Sequence, residues 1–251
     1  MLRDQLVQHC SQLLESERFR DYCPNGLQVE GGAEVSILAT ACTASRAAIQ
    51  AACAAGAQAL LVHHGIIWGS AAAPITGMLK HRLAPLLASD CSLLAYHLPL
   101  DAHPQHGNNA VLLKELGLPV SGSFGIYHGQ AIGLYGDSNE PLSIDSLSQR
   151  LQSVVDHPVL HCPGDASNLH RIGIVTGGGQ SLLLDAAAAG CDVLITGEAS
   201  EQTWHEAQES GCHCLAAGHH ATESLAIHRL GAAIAEQFNL QHLPIHIANP
   251  I

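Results

Sequence analysis

The stretch ILATACTASRAAIQAACAAGAQALLVHHG, Ile37–Gly65, decides the fold because a second stretch repeats it: IGIVTGGGQSLLLDAAAAGCDVLITGE, Ile172–Glu198. Each reads as an apolar strand, a small-residue turn, an alanine-rich helix, an Ala-Gly stop, a second apolar strand and then polar residues. Gly56 pairs with Gly190 and His64 with Glu198, each pair 134 residues apart. A third match follows, SDCSLLAYHLPLD (Ser89–Asp101) against SGCHCLAAGHHATE (Ser210–Glu223). In both, a Cys-containing apolar strand runs into His and carboxylate residues. Strands alternating with helices predict βαβ units and largely parallel sheets. Such sheets collect ligands at the carboxyl ends of their strands, which is where the polar residues fall in both copies.

Outward from this repeat, the periodicity predicts an amphipathic helix over residues 2–19, with Leu2, Leu6, Cys10, Leu13 and Leu14 on one stripe. Asp21-Tyr22-Cys23-Pro24-Asn25-Gly26 is turn chemistry. Residues 119–170 break the repeat and carry a predicted strand (Gln130–Tyr135) and helix (Ser143–Val155). Leu240–Ile247 is apolar and reads as a strand. With a transition near residue 125, the expected domains are 1–125 plus 218–251, and 126–217.

Composition narrows the function. Of 251 residues, 47% are hydrophobic and 13% charged, which disfavours disorder. No apolar run reaches the roughly 18 residues of a membrane span. The start, Met1-Leu2-Arg3-Asp4-Gln5, lacks the basic-then-apolar layout of a secretion signal, so a soluble cytoplasmic protein is expected. The formal charge of −12, with ten Lys plus Arg and no basic stripe, argues against duplex nucleic acid as a partner. Histidine, at 18 residues, outnumbers Lys plus Arg and points to metal or proton chemistry. The nine cysteines are odd in number, irregularly spaced and contain no C-x-x-C, so they read as reduced, mostly buried residues. Cys212-His213-Cys214 could aim two thiols at one face, but no second pair completes a tetrahedral site, and a buried strand face is the simpler reading.

Three strand ends carry the chemistry. His63-His64-Gly65 closes the first; neighbouring strand residues point to opposite faces, so the two histidines would serve two ions rather than one. His97-Leu98-Pro99-Leu100-Asp101 follows the next strand, and Pro99 predicts a loop there. His103 and His106 read as surface or outer residues, and Asn108 and Asn109 as helix caps. His219 and Glu223 lie four apart and would stack on one helical face. His63, His64, Asp101, His219 and Glu223 mix imidazole with carboxylate, a set that suits zinc, iron, manganese or nickel. Five ligands with a bridging carboxylate fit two divalent ions better than one. Gly177-Gly178-Gly179-Gln180-Ser181 is either a phosphate-holding turn or a tight packing turn. Glu198, placed like His64 by the repeat, is a catalytic, supporting or capping carboxylate.

PNGLQVEG (Pro24–Gly31), LLVHHG (Leu60–Gly65), YHLPLDAHPQHGNN (Tyr96–Asn109), TGGGQS (Thr176–Ser181), TGEASEQT (Thr196–Thr203) and AAGHHATE (Ala216–Glu223) together resemble the GTP cyclohydrolase I type 2-like family. Its members are also called Nif-three-like dinuclear metal proteins, and the chain looks closest to the bacterial YbgI type. The resemblance covers nearly the whole chain. It implies two similar, intertwined α/β/α domains related by duplication, with a metal site between them, and a toroidal homohexamer. It assigns two ions to His63, His64, Asp101, His219 and Glu223. The inserted domain of long family members has no room in this chain. The expected function is a dinuclear metal-dependent hydrolase of a nucleotide or purine-like small molecule. A hydroxide bridging the ions is the nucleophile, and His97 or Glu198 moves the proton. The rival readings are a metal-binding scaffold or regulator without turnover, and a metal-dependent oxidase.

Overall fold

In a computed structural model, residues 1–69 and 74–251 are described. Helix α1 (Arg3–Leu13) leads to strand β1 (Gly26–Val29), β2 (Ile37–Thr43), α2 (Arg46–Ala54), β3 (Ala59–His64), α3 (Gly77–Ala88), β4 (Ser92–Ala95), α4 (Leu98–Ala102) and α5 (Asn108–Glu115). Then come β5 (Gly122–Tyr127), β6 (Gln130–Leu142), α6 (Ile144–Val155), β7 (Leu160–Cys162), β8 (Leu169–Val175), α7 (Leu183–Ala188) and β9 (Val193–Thr196). Last are α8 (Glu201–Ser210), β10 (His213–Ala216), α9 (His219–Phe238) and β11 (Gln241–Pro244). None of these helices is long and apolar enough to cross a membrane among the described residues.

By packing, Met1–Leu100 with Ala226–Ala248 forms one compact unit, and Asp101–Leu225 with Asn249–Ile251 the other. The first unit holds a five-stranded sheet in the order β1-β4-β3-β2-β11. The second holds a six-stranded sheet in the order β5-β6-β8-β9-β10-β7. The repeat read from the sequence is therefore a repeat of topology. β4-β3-β2 and β10-β9-β8 run parallel in matching order, and each is flanked on one side by an antiparallel strand, β1 or β7. The helix stops match too. Gly56 has φ +74° and Gly190 φ +76°, the left-handed conformation that ends a helix at least cost when the residue is glycine.

Several expectations need correction. The first helix ends at Leu13 rather than running to residue 19. Its buried stripe, Leu6, Cys10 and Leu14, gives out there. Glu15 then turns left-handed at φ +49°, and a single 3₁₀ turn covers Ser16–Arg18. The loop expected around Pro99 is a short helix, α4, with Pro99 as its second residue. A first-turn residue has no intrahelical use for its N–H, so proline fits there. Residues 119–170 do not simply interrupt the repeat: α6 and β7 recapitulate α1 and β1. The correspondence extends to the turns, where Gly32 N–H donates to Asp90 O at 2.8 Å and Asp165 N–H to Gly211 O at 3.0 Å. The second sheet is mixed rather than mostly parallel, because the β5–β6 hairpin joins it antiparallel to β8.

The two repeats exchange their ends. After β4, the first repeat's chain enters α5, whose Ala110, Leu112 and Leu113 pack in the second unit's core with Leu134, Leu151 and Ile174. After β10, the second repeat's chain runs through α9, whose Ile227, Leu230 and Ile234 pack in the first unit's core with Leu38, Leu61 and Leu94. Strands β6 and β11 complete the exchange by joining the sheets of those units. The central strands are buried along their length, as parallel strands covered on both faces must be. Each fully buried Leu or Ile contributes about 1.5–3 kcal/mol, so these cores hold the strand ends in place.

Candidate metal centre

In the first unit, His63 and His64 end β3 and His97 follows β4, its parallel neighbour. Each of the three offers one ring nitrogen, and these atoms lie within 4.8 Å of one another, a group that could hold a metal ion. The His63 and His64 rings approach to 4.4 Å between centroids, tilted by 47°. The expectation that they point apart is therefore corrected: the two rings lie side by side at the end of β3. His63 is fully buried and its Nδ1 donates to the Tyr96 carbonyl at 3.0 Å. A carbonyl only accepts, so the proton is on Nδ1 and the lone pair on Nε2. His64 Nδ1 pairs with the Thr43 hydroxyl at 3.0 Å. His97 Nδ1 donates to Asp21 Oδ1 at 3.0 Å. Burial raises the Asp21 carboxyl, but the His97 ring, the Cys23 N–H and the Asn25 amide outweigh it and hold it below the usual range. An imidazole tethered through Nδ1 is in the form in which histidine ligates metals through Nε2.

The tethers come from the turn between α1 and β1. Asn25 Oδ1 accepts from His97 N–H at 2.8 Å, and Asp21 Oδ2 from Leu98 N–H at 2.9 Å. Gln28 Oε1 accepts from the N–H groups of Ile66 and Ile67, at 2.9 and 3.1 Å, while its Nε2 donates to Pro24 O at 3.0 Å. A Cβ on Gly65 would collide with the Gln28 amide, which explains the glycine after the two histidines. Gln28→Ala leaves two loop N–H groups without their acceptor, at about 1–3 kcal/mol. The expected result is a lower unfolding midpoint in a thermal scan; an unchanged midpoint would show that the bracket is dispensable. Cys42, read from sequence as a buried apolar residue, is indeed buried, and its sulfur lies within 4.8 Å of a His64 ring nitrogen.

In the second unit, Asp101 lies in α4, and His219 and Glu223 occupy the first turns of α9. Asp101 and Glu223 are both buried, and each offers an oxygen within 4.8 Å of the other's. Asp101 Oδ1 accepts from Asn108 Nδ2 at 2.8 Å and from the Thr176 hydroxyl at 3.4 Å. The helical spacing does stack His219 on Glu223, with Nε2 3.2 Å from Oε2. Nδ1 of the same ring meets Glu198 Oε1 at 2.6 Å. Burial pulls the His219 pKa down, but Glu223 and Glu198 outweigh it and push it up to about 9. Glu198 thus orients His219.

The glycine turns pack against this pair. Gly177 has φ +64°, and a Cβ there would strike Glu223 Oε1 and lie 3.0 Å from His219 Nε2. Gly197 lies against the His219 backbone, where a Cβ would come within 2.6 Å of the His219 Cα. Between the two readings of Gly177–Ser181, the packing turn prevails: the Gly177 and Gly179 N–H groups donate to the hydroxyls of Thr222 and Thr196, both at 3.1 Å, rather than facing an anion. Asn108 and Asn109 are not caps either. Both are buried, and Asn109 donates to Ile132 O at 2.7 Å and accepts from Thr176 N–H at 2.9 Å. The cap position is Gly107. His103 ring nitrogen accepts from the N–H groups of Gln105 and His106, so it shapes the α4–α5 turn. Cys212 and Cys214 are buried, and burial pushes both thiols up, that of Cys212 to about 12, in keeping with a core strand.

Duplicated α/β units that place imidazoles and carboxylates at or just after the ends of their parallel strands define a protein whose strand ends gather groups that could hold a metal ion. The chain belongs to the Duf34/NIF3 (NGG1p interacting factor 3) family, whose profile matches residues 1–250. It is 42% identical over 246 residues to the GTP cyclohydrolase 1 type 2 homolog of Pseudomonas aeruginosa, covering 98% of this chain and 97% of that one. Among solved structures it is similar to protein ybgI, described as of unknown function, with a TM-score of 0.94, 40% identity and full coverage of both chains. It is also similar to TTHA1606 from Thermus thermophilus, with a TM-score of 0.89, 32% identity and full coverage of both.

Proposed function

We propose that the protein is a dinuclear metal-dependent hydrolase of a nucleotide or related purine compound, with His63, His64, Asp101, His219 and Glu223 as ligands. The observation that supports the reading is the tethering of His63 and His97 through Nδ1 beside His64, with one ring nitrogen of each of the three within 4.8 Å of the others. Two buried carboxylates as close as Asp101 and Glu223 repel each other, and a divalent ion held by them would relieve that repulsion. Zinc, iron, manganese and nickel all suit this donor set. When bound, such ions supply Lewis-acid chemistry, lowering the pKa of water and polarising the substrate.

The chain's own residues do the rest. Asp21 holds His97 in the tautomer whose Nε2 takes a proton, and the buried ring excludes competing water. Glu198 keeps His219 directed at Glu223 and is the second candidate for proton transfer. The names of relatives support a ring-opening hydrolysis of GTP as the first reaction to test. The proposal extends to assembly, with six copies forming a ring. The deciding experiment reconstitutes the protein anaerobically with each metal and assays hydrolysis of a panel of nucleotides and phosphoesters. Turnover that depends on metal and is lost in His97→Gln supports the reading. Absence of turnover with every metal would leave a metal-binding protein that is not a hydrolase.

A further inference from the structure

Beside the histidine trio, two large aromatic residues remain half-exposed: Tyr22 at 54% and Trp68 at 40%. A side chain of that size on a surface usually finds cover, since burying it is worth more than burying a smaller residue. These two are instead held in place. Trp68 Nε1 donates to the Gly65 carbonyl at 3.2 Å, and Gly69 N–H donates to the Tyr22 carbonyl at 2.6 Å. The loop after β3 is thus fastened to the loop before β1. The rings lie 5.6 Å apart between centroids, tilted by 32°. Both meet His97 edge-on, Tyr22 at 5.1 Å and 72°, Trp68 at 5.3 Å and 82°. Trp68 also lies 5.9 Å from the His64 ring.

This geometry selects an occupant. A ring sandwiched between two others needs them about 7–8 Å apart, twice the optimal carbon separation. At 5.6 Å the pair is too close for that, so a ring can only lie on the part of the two that stays exposed. A planar heterocycle laid there would sit beside His97 and His64, the rings that the pair touches. Long flexible side chains would lose rotamer freedom on such a surface, whereas a fused ring has none to lose. We propose that Tyr22 and Trp68 form a stacking platform for the heterocycle of a purine nucleotide, beside the histidines that carry the chemistry. This inference rests on the hydrolase reading above and names the residues that select its substrate's base.

The test uses full-length Trp204→Phe protein, in which Trp68 is the remaining tryptophan of the two in the chain. GMP and ribose 5-phosphate differ only by the base. GMP is expected to quench Trp68 emission saturably and ribose 5-phosphate to leave it unchanged. Tyr22→Leu should weaken GMP binding about tenfold or more, the scale of one base stacked on an aromatic ring. It should leave ribose 5-phosphate binding unchanged, and Tyr22→Phe should restore GMP affinity. Equal affinity of Tyr22→Leu and its parent for GMP, or no base-dependent quenching, overturns the platform. Metal content measured on the same samples separates the two readings. A protein that holds its ions but ignores the base refutes the platform alone; one that holds none refutes the metal centre, whatever the base does.

Discussion

Glu223→Gln is expected to release both metal ions, weakening each by about a hundredfold or more. Removing a partner that merely orients a ligand already costs metal affinity 10–100-fold, roughly; Glu223 is proposed to ligate both ions directly. Glutamine keeps the shape and removes the anionic charge that offsets two dications. In chelator the variant loses the charge that Glu223 presents to His219, so its unfolding midpoint should fall modestly. Relief of the like-charge repulsion with Asp101, also buried and with an oxygen within 4.8 Å, offsets part of that loss. Metal titration together with a thermal scan in chelator distinguishes lost binding from lost folding. Asp101→Asn provides the contrast. Its Oδ1 is engaged by Asn108 and Thr176, so it should serve a single ion, and the variant should keep the other. A Glu223→Gln protein that still holds two ions tightly would mean that the bridging carboxylate is elsewhere.

Gly177→Ala is expected to damage the same pair from the opposite side. A left-handed backbone costs a residue with a Cβ about 1–2 kcal/mol, and here φ is +64°. The new methyl would also strike Glu223 Oε1, so either the turn or the carboxylate must move. The unfolding midpoint should fall by several degrees, and metal affinity should fall with it because Glu223 leaves its place beside His219. Gly178→Ala is the control. Its φ is −81°, and the nearest atoms to an added Cβ are 3.8 and 3.9 Å away. If both variants bind metal like the parent, Gly177 has no part in holding the carboxylate.

The sequence carried the parallel cores and the strand-end chemistry because both are local. Alternating strands and alanine-rich helices, closed by Gly56 and Gly190, define the repeat within each half. His219 and Glu223 meet through one helical turn, so their contact was legible from spacing alone. Contacts across long separations were not. Asp21 and His97 are 76 residues apart, and Asn109 and Thr176 67 apart; their turn-like residue types gave no sign of a buried partner. The match of α6–β7 to α1–β1 was hidden because only burial and turn geometry are shared: VEGG at 29–32 and CPGD at 162–165 have one glycine in common by position. The approach of the His63 and His64 rings is not legible either, because strand alternation alone sends neighbouring side chains to opposite faces. Pro99 misled because the rule against proline applies to helix interiors, and α4 has hardly any interior.

The measurement that bears most directly on the account is the metal content of the full-length protein after anaerobic reconstitution and removal of loosely bound ions. Elemental analysis should give two divalent ions per chain, falling to one in Asp101→Asn and to none in Glu223→Gln. A plateau at one ion or fewer in the unmodified chain would contradict the dinuclear centre.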